Sequence, residues 1–185
     1  MQRLRSLGPA DATAKSAELL GDIIGRHGSV GPMISAMAHS PALLQGYLDF
    51  SRAMKRAKLP RDLSEKISLA LQEWIGCALC LQAHTRAGQE AGLSDTDVAL
   101  ARQGTATDQR EAALIAFAVR ILAEPASIRD GDIAELREHG WSDRIIADTV
   151  GLVSLNLLTG SFNLVAGLEP EPDEQSTKET QVHVN

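Results

Sequence analysis

Apolar residues recur along the chain at intervals of three and four, and no stretch sustains the two-residue alternation of a half-buried strand. The pattern predicts helices over Ala14 to Arg26, Gly31 to Ala38, and Pro41 to about Lys58, the last with Ser40 as its cap and Pro60 as its stop. In "DLSEKISLALQEWIG" the residues Leu63, Ile67, Ala70, Leu71 and Trp74 form one apolar stripe, and Gly76 then interrupts the helix. A further helix follows from about Cys77 to Ala91, closed by Gly92, and "SDTD" at Ser94 to Asp97 has the form of a capping box that opens another. "REAALIAFAVRILAE" is helical by the same periodicity, so the expected fold is all-α.

The punctuation repeats. "AGLSD" at 91 to 95 and "HGWSD" at 139 to 143 share the order Gly, apolar, Ser, Asp, and each follows a helical segment, which points to a weak duplication of a helical unit. From Ile145 to Leu168 the chain is apolar over more than twenty residues. Ser154, Asn156, Thr159, Ser161 and Asn163 interrupt it too often for a lipid-facing helix, so a buried helix or a subunit interface is expected instead. After Leu168 the composition turns polar and proline-containing. The expected organisation is a flexible N-terminus over 1–12, one helical domain over 13–168, and a disordered polar tail over 169–185.

Composition narrows the function classes. With 185 residues, 44 % apolar and 23 % charged, the chain can bury a substantial core without a staple, and aromatics at 3 % leave that core to Leu, Ile, Val, Ala and Met. A formal charge of −6, without a Lys/Arg run interleaved with aromatics, argues against nucleic acid as a partner. The first fifteen residues contain no apolar h-region, so a cytoplasmic location is expected. In a reducing compartment, two cysteines three residues apart favour catalysis or metal binding over a structural bridge.

Both cysteines lie in "CALCLQAH", residues 77 to 84. On a helix, successive residues advance by about 100°, which puts Cys77, Cys80 and His84 on one stripe. If Gly76 marks the helix start, the two thiols occupy its first turn, where free N–H groups and the positive end of the dipole stabilise a thiolate. The thiolate is the attacking species in peroxide reduction and in disulfide exchange, and His84 lies one turn beyond Cys80 as a candidate base. The pair also admits inert buried thiols or a metal site. Zinc would need a fourth ligand such as His39 or Glu73, which no spacing selects. His84 also admits a purely structural role.

At these residues the sequence resembles the alkylhydroperoxidase D-like (AhpD-like) proteins of the carboxymuconolactone decarboxylase superfamily. The matching elements are "GCALCLQAH", Glu65 twelve residues ahead of Cys77, and "AGLSD" behind it. "MAHSPALLQGYLDFSRAM" (37 to 54) and "FNLVAGLEP" (162 to 170) are similar to segments of the peroxidase-related subgroup. The resemblance implies an all-helical fold, homo-oligomers that are commonly trimers or hexamers, and thiol-dependent hydroperoxide reduction without a cofactor. It makes Cys80 the peroxidatic thiol, Cys77 the resolving thiol, and Glu65 with His84 a proton relay, with a dithiol protein or small thiol as reductant. The family's best-studied members also carry a histidine just before the second cysteine, where this chain has Leu79.

Geometry sets a condition on Glu65. In one unbroken helix it would lie roughly 18 Å before Cys77, so the chain must turn back near Trp74 to Gly76. Otherwise Glu73 becomes the nearer acid, while Glu111, the counterpart acid in the weak second repeat, reads as structural. Two other functions compete. A lactone decarboxylase would need a basic cluster for a substrate carboxylate, and the sequence near the thiols offers only Arg86. A redox sensor or zinc-binding interaction protein would use the same cysteines without turnover.

Overall fold

A computed structural model of the chain describes residues 2–170, and within them every regular element is a helix. In chain order these are α1 (Ala14–His27), α2 (Pro32–Met37), α3 (Pro41–Met54), α4 (Arg61–Ile75), α5 (Ala78–Glu90), α6 (Asp95–Arg102), α7 (Gln109–Ala123), a short 3-10 turn (Pro125–Ser127), α8 (Asp130–Glu138) and α9 (Asp143–Ala166). The all-α expectation holds.

Helix α4 is the centre. It packs against α5, α6, α7 and α9, and every residue from Glu65 to Gln72 is buried. One side of it carries Leu63, Ile67, Ala70 and Leu71 into a core shared with Leu114, Ile115, Phe117, Leu136, Trp141 and Val153. On the other, Leu69 meets Leu93, Val98 and Ala101. Four members of the expected stripe are therefore in the core. The fifth, Trp74, is 59 % exposed, because the helix ends one residue later, beyond the reach of the packed neighbours. A separate cluster of Leu7, Leu19, Leu20, Met37, Ala38 and Leu44 joins the N-terminal segment to α1, α2 and α3.

Helix α3 stops at Met54 rather than near Lys58. The amide of Lys58 instead donates to the Asp148 carboxylate of α9 at 2.8 Å, which holds the chain in a connecting loop ahead of Pro60. Residues 2–12, expected as a flexible lead-in, lie against the body. Arg3 and Leu4 donate their amides to Ala166 O, Leu7 N–H to Ser35 O, and the Leu7 side chain is 5 % exposed. Most of the expected polar tail, residues 171–185, lies outside the described residues.

The duplicated punctuation makes the same turn twice. Gly92 and Gly140 take positive φ (97° and 80°), and the following Leu93 and Trp141 donate back to Gly88 O and Leu136 O while burying their side chains. Ser94 and Ser142 then cap α6 and α9. Helix α9 is long and apolar enough to cross a membrane by length and composition. Its buried stripe nonetheless includes Thr149, Asn156 and Asn163, and Asn156 is hydrogen-bonded to Ser68 and Gln72 of α4. Packing against α4 gives Asn156 partners that hydrocarbon could not supply.

The α4–α9 contact is tight at Gly160, where an added Cβ would sit 2.5 Å from Gln72 Oε1 and 3.0 Å from Ile75. Gly160→Ala is expected to lower stability by about 1–3 kcal/mol. Gly131→Ala in α8, which meets nothing within 4 Å, is expected to be neutral or slightly stabilising. Urea midpoints of the two variants check the contrast.

Candidate functional site

The site begins with the turn between α4 and α5. Gly76 takes φ 79°, and both its own amide and that of Cys77 donate to Gln72 O, which closes α4 and sends the chain back along it. Further on, Gly88 allows α5 to approach closely, since a Cβ there would lie 2.9 Å from Leu93 and 3.6 Å from the Glu65 Cβ. The condition set on Glu65 is thus met. Its Oε2 is 2.7 Å from His84 Nδ1, while Arg61 Nε donates to Oε1 at 2.9 Å.

Burial of Glu65 by itself raises its carboxyl pKa, but the hydrogen bond and charge of His84, then those of Arg61, outweigh it and hold the group below the ordinary carboxyl value. An ionised carboxylate only accepts, so Nδ1 carries the hydrogen of that bond and Nε2 is the ring nitrogen left for other chemistry.

Cys77 and Cys80 are joined in a disulfide, with Cα atoms 5.3 Å apart. Cys77 is the N-cap of α5 and its Sγ accepts the Cys80 amide at 3.3 Å, so the first thiol sits just before the first helical turn and the second within it. Cys77 is fully buried, whereas Cys80 lines a cavity of about 450 Å³ together with Glu65, His84 and Leu79. That volume is in the range of small-molecule sites. Met33, Ile34, Leu152 and Leu155 supply apolar wall, and Tyr47 lines it as well. Burial pushes the Tyr47 phenol up, against a smaller opposing effect of Ser51, so it stays neutral.

One residue at the sulfur was not singled out from the sequence. Asn163 of α9 donates from Nδ2 to Cys80 Sγ at 3.3 Å, is 5 % exposed and lines the cavity, and its Oδ1 has no hydrogen-bond partner. The sequence signal was a polar residue inside an apolar run, which reads equally well as an argument against a membrane span. An amide N–H on a sulfur favours its thiolate.

The other candidates lie elsewhere. Glu73 pairs with Arg102 on the surface at 2.7 Å, and Arg86 is exposed. Glu111 pairs with the buried Lys66 at 2.6 Å. His39, weighed as a fourth zinc ligand, contacts Arg5 O at 3.0 Å.

Residues 41–124, which include the turn and both thiols, match the carboxymuconolactone decarboxylase family model. The comparison with curated proteins gives no match. Among solved structures, the fold is similar to that of a peroxidase-related protein with an alkylhydroperoxidase AhpD core from Ralstonia eutropha JMP134, at TM-score 0.76 and 20 % identity over 92 % of this chain and 93 % of that one. A peroxidase-related protein from Silicibacter sp. TM1040 gives TM-score 0.76 and 19 % identity over 92 % and 94 %. The debrominase Bmp8 gives TM-score 0.71 and 16 % identity over 96 % of each chain. The fold is therefore AhpD-like, and the resemblance read from "GCALCLQAH" stands.

Because the Glu65 pKa is lowered on folding, the stability its ionised form contributes is present above about pH 4.5 and lost as pH falls through the folded value. Thermal midpoints measured from pH 6 down to about pH 3 are expected to fall more steeply for the wild type than for Glu65→Gln. Equal slopes would remove the linkage.

Proposed function

We propose that this AhpD-like chain is a cytoplasmic thiol-dependent enzyme that reduces organic hydroperoxides through Cys80 and Cys77. The observation that carries the reading is the placement of Cys80 Sγ, with its Asn163 donor, in the wall of an apolar cavity that also contains the Glu65–His84 pair.

In the reduced enzyme the Cys80 thiolate attacks the terminal oxygen of RO–OH. An S–O bond forms, the O–O bond breaks, and RO⁻ leaves and takes a proton delivered by way of His84, giving ROH and the Cys80 sulfenic acid. The Cys77 thiol then attacks the sulfenic sulfur; the disulfide forms and water leaves with the thiol proton. An external dithiol protein or small thiol returns two electrons and two protons to the pair.

Each residue has a part in this sequence. Glu65 fixes the His84 ring through Nδ1 and leaves Nε2 for the proton. Asn163 stabilises the Cys80 thiolate through its amide, and Leu79 keeps its part of the cavity wall apolar. Cys77, held as the helix cap, is within bonding reach of Cys80 without rearrangement of the turn.

The same thiol pair beside an apolar cavity also suits reductive removal of a halogen, the reaction class named for Bmp8, whose structure is also solved with 2,3,4-tribromopyrrole. Turnover of a bromopyrrole in place of a hydroperoxide would shift the reading to that class.

Self-association belongs to the proposal. Val150, Leu157 and Val165 of α9 are 44 %, 46 % and 64 % exposed on a helix that also forms core, which supports a homo-oligomer, a trimer or hexamer, assembled through this face. Light scattering of the wild type and Leu157→Asp is expected to give a larger mass for the former.

For the chemistry, cumene hydroperoxide is expected to consume both thiols of each reduced chain, and Cys80→Ser to abolish that consumption. Undiminished consumption in Cys80→Ser would overturn the assignment. Asn163→Leu is expected to slow iodoacetamide modification of Cys80 at neutral pH by roughly tenfold, the scale of one hydrogen bond to a charged group.

A further inference from the structure

The segment "RAMKRAKLPR", residues 52 to 61, contains Arg52, Lys55, Arg56, Lys58 and Arg61 and no acid, in a chain of formal charge −6. It joins the end of α3 to the start of α4, far from the thiols in sequence, and the fold brings it beside them. A second cavity of about 460 Å³ runs along it, with Met54, Lys55, Leu59 and Arg61 in its wall and no acidic residue among its lining. This cavity and the one over Cys80 share Ser64, Leu152 and Leu155. The two spaces adjoin across that common wall.

On one side of the shared wall are Cys80, Asn163 and the Glu65–His84 pair, with Arg61 joined to Glu65; the wall itself carries Leu152 and Leu155; on the other side is the Lys55 ammonium. Lys55 is exposed and makes no ion pair with any described residue. Arg61 gives Nε to Glu65, and its side chain is 68 % exposed. A ligand matched to this order has an apolar body and an anionic end.

We propose that the substrate is a hydroperoxide on an apolar chain or ring that ends in a carboxylate, with the carboxylate at Lys55, the apolar body against Leu152 and Leu155, and the peroxide at Cys80. This rests on the hydroperoxide reading of the Cys80 site and adds the class of molecule that bears the group. A carboxylate matches the ammonium of Lys55, whereas the Arg61 guanidinium is already given to Glu65. Each cavity has the volume of a small-molecule site, which suits a single-chain acid rather than a two-chain phospholipid. Of the chemical steps, none changes: the acid is reduced at its O–O bond as above and leaves as the corresponding hydroxy acid.

The test uses unreactive probes on the reduced full chain, so it does not depend on turnover. Dodecanoate and methyl dodecanoate are compared by calorimetry and by their protection of Cys80 from iodoacetamide. The acid is expected to bind roughly tenfold more tightly than the ester and to protect Cys80. Lys55→Glu is expected to remove that advantage and Lys55→Arg to retain it, with circular dichroism confirming that both variants fold. Equal affinities for acid and ester, an advantage untouched by Lys55→Glu, or binding without protection of Cys80 would each overturn the inference. If the binding results hold and no hydroperoxide is reduced, the reaction assigned to Cys80 fails while the carboxylate site stands. If cumene hydroperoxide is reduced and acid and ester bind alike, only the carboxylate end is lost.

Discussion

Helix α4 is buried on every side, yet four of its eight consecutive buried residues are polar, and each must find its partner on a different part of the fold. Glu65 meets His84 of α5 and Arg61 of its own helix, and Lys66 meets Glu111 of α7. Ser68 and Gln72 both meet Asn156 of α9. Apolar packing alone would tolerate sliding of one helix on another. These pairings do not, because any shift along α4 strands a buried charge or amide. The register of α5, α7 and α9 about α4 is therefore fixed by polar matching, and the Glu65–His84 pair is one member of that set rather than an addition to it.

The periodic and punctuating residues were readable from the sequence because their causes are local. Gly76, Gly92 and Gly140 mark turns that need positive φ, and Ser40, Ser94 and Ser142 act as caps with their own side chains. The thiols and His84 lie within two helical turns of one another, and Glu65 needed only the turn at "WIG". What escaped had a non-local cause. Asn163 reaches Cys80 across 83 residues of sequence, and Lys55 and Arg61 border the site only because α3, α4 and α9 enclose a common space. The exposure of Trp74 and the early end of α3 are of the same kind, since each depends on what the neighbouring helices provide rather than on the pattern of the segment itself.

The replacement of a histidine by Leu79 takes on a different meaning beside Asn163. A histidine next to the sulfur would supply a proton site and a polar surface. The amide of Asn163 supplies a hydrogen-bond donor with no titration in the physiological range, and Leu79 gives the cavity wall to apolar contact. In the reaction proposed above, proton transfer is then left to His84 alone, and stabilisation of the thiolate to a group whose donor strength does not change with pH. Binding of an apolar body and activation of the sulfur can in this way share one small surface.

Cys77 is at once the N-cap of α5 and one half of the disulfide. A sulfur that accepts an amide hydrogen bond does so more strongly as a thiolate than as half of a disulfide. In whatever fraction of the reduced protein Cys77 is the ionised sulfur, helix α5 is therefore held more firmly at its start. By a closed thermodynamic cycle, whatever the reduced fold gains in this way appears as an increased tendency of the disulfide to accept electrons. The end of a helix and the appetite of a disulfide become two measures of one quantity, so a substitution that alters capping at Cys77 also shifts the reduction potential of the bond beside it.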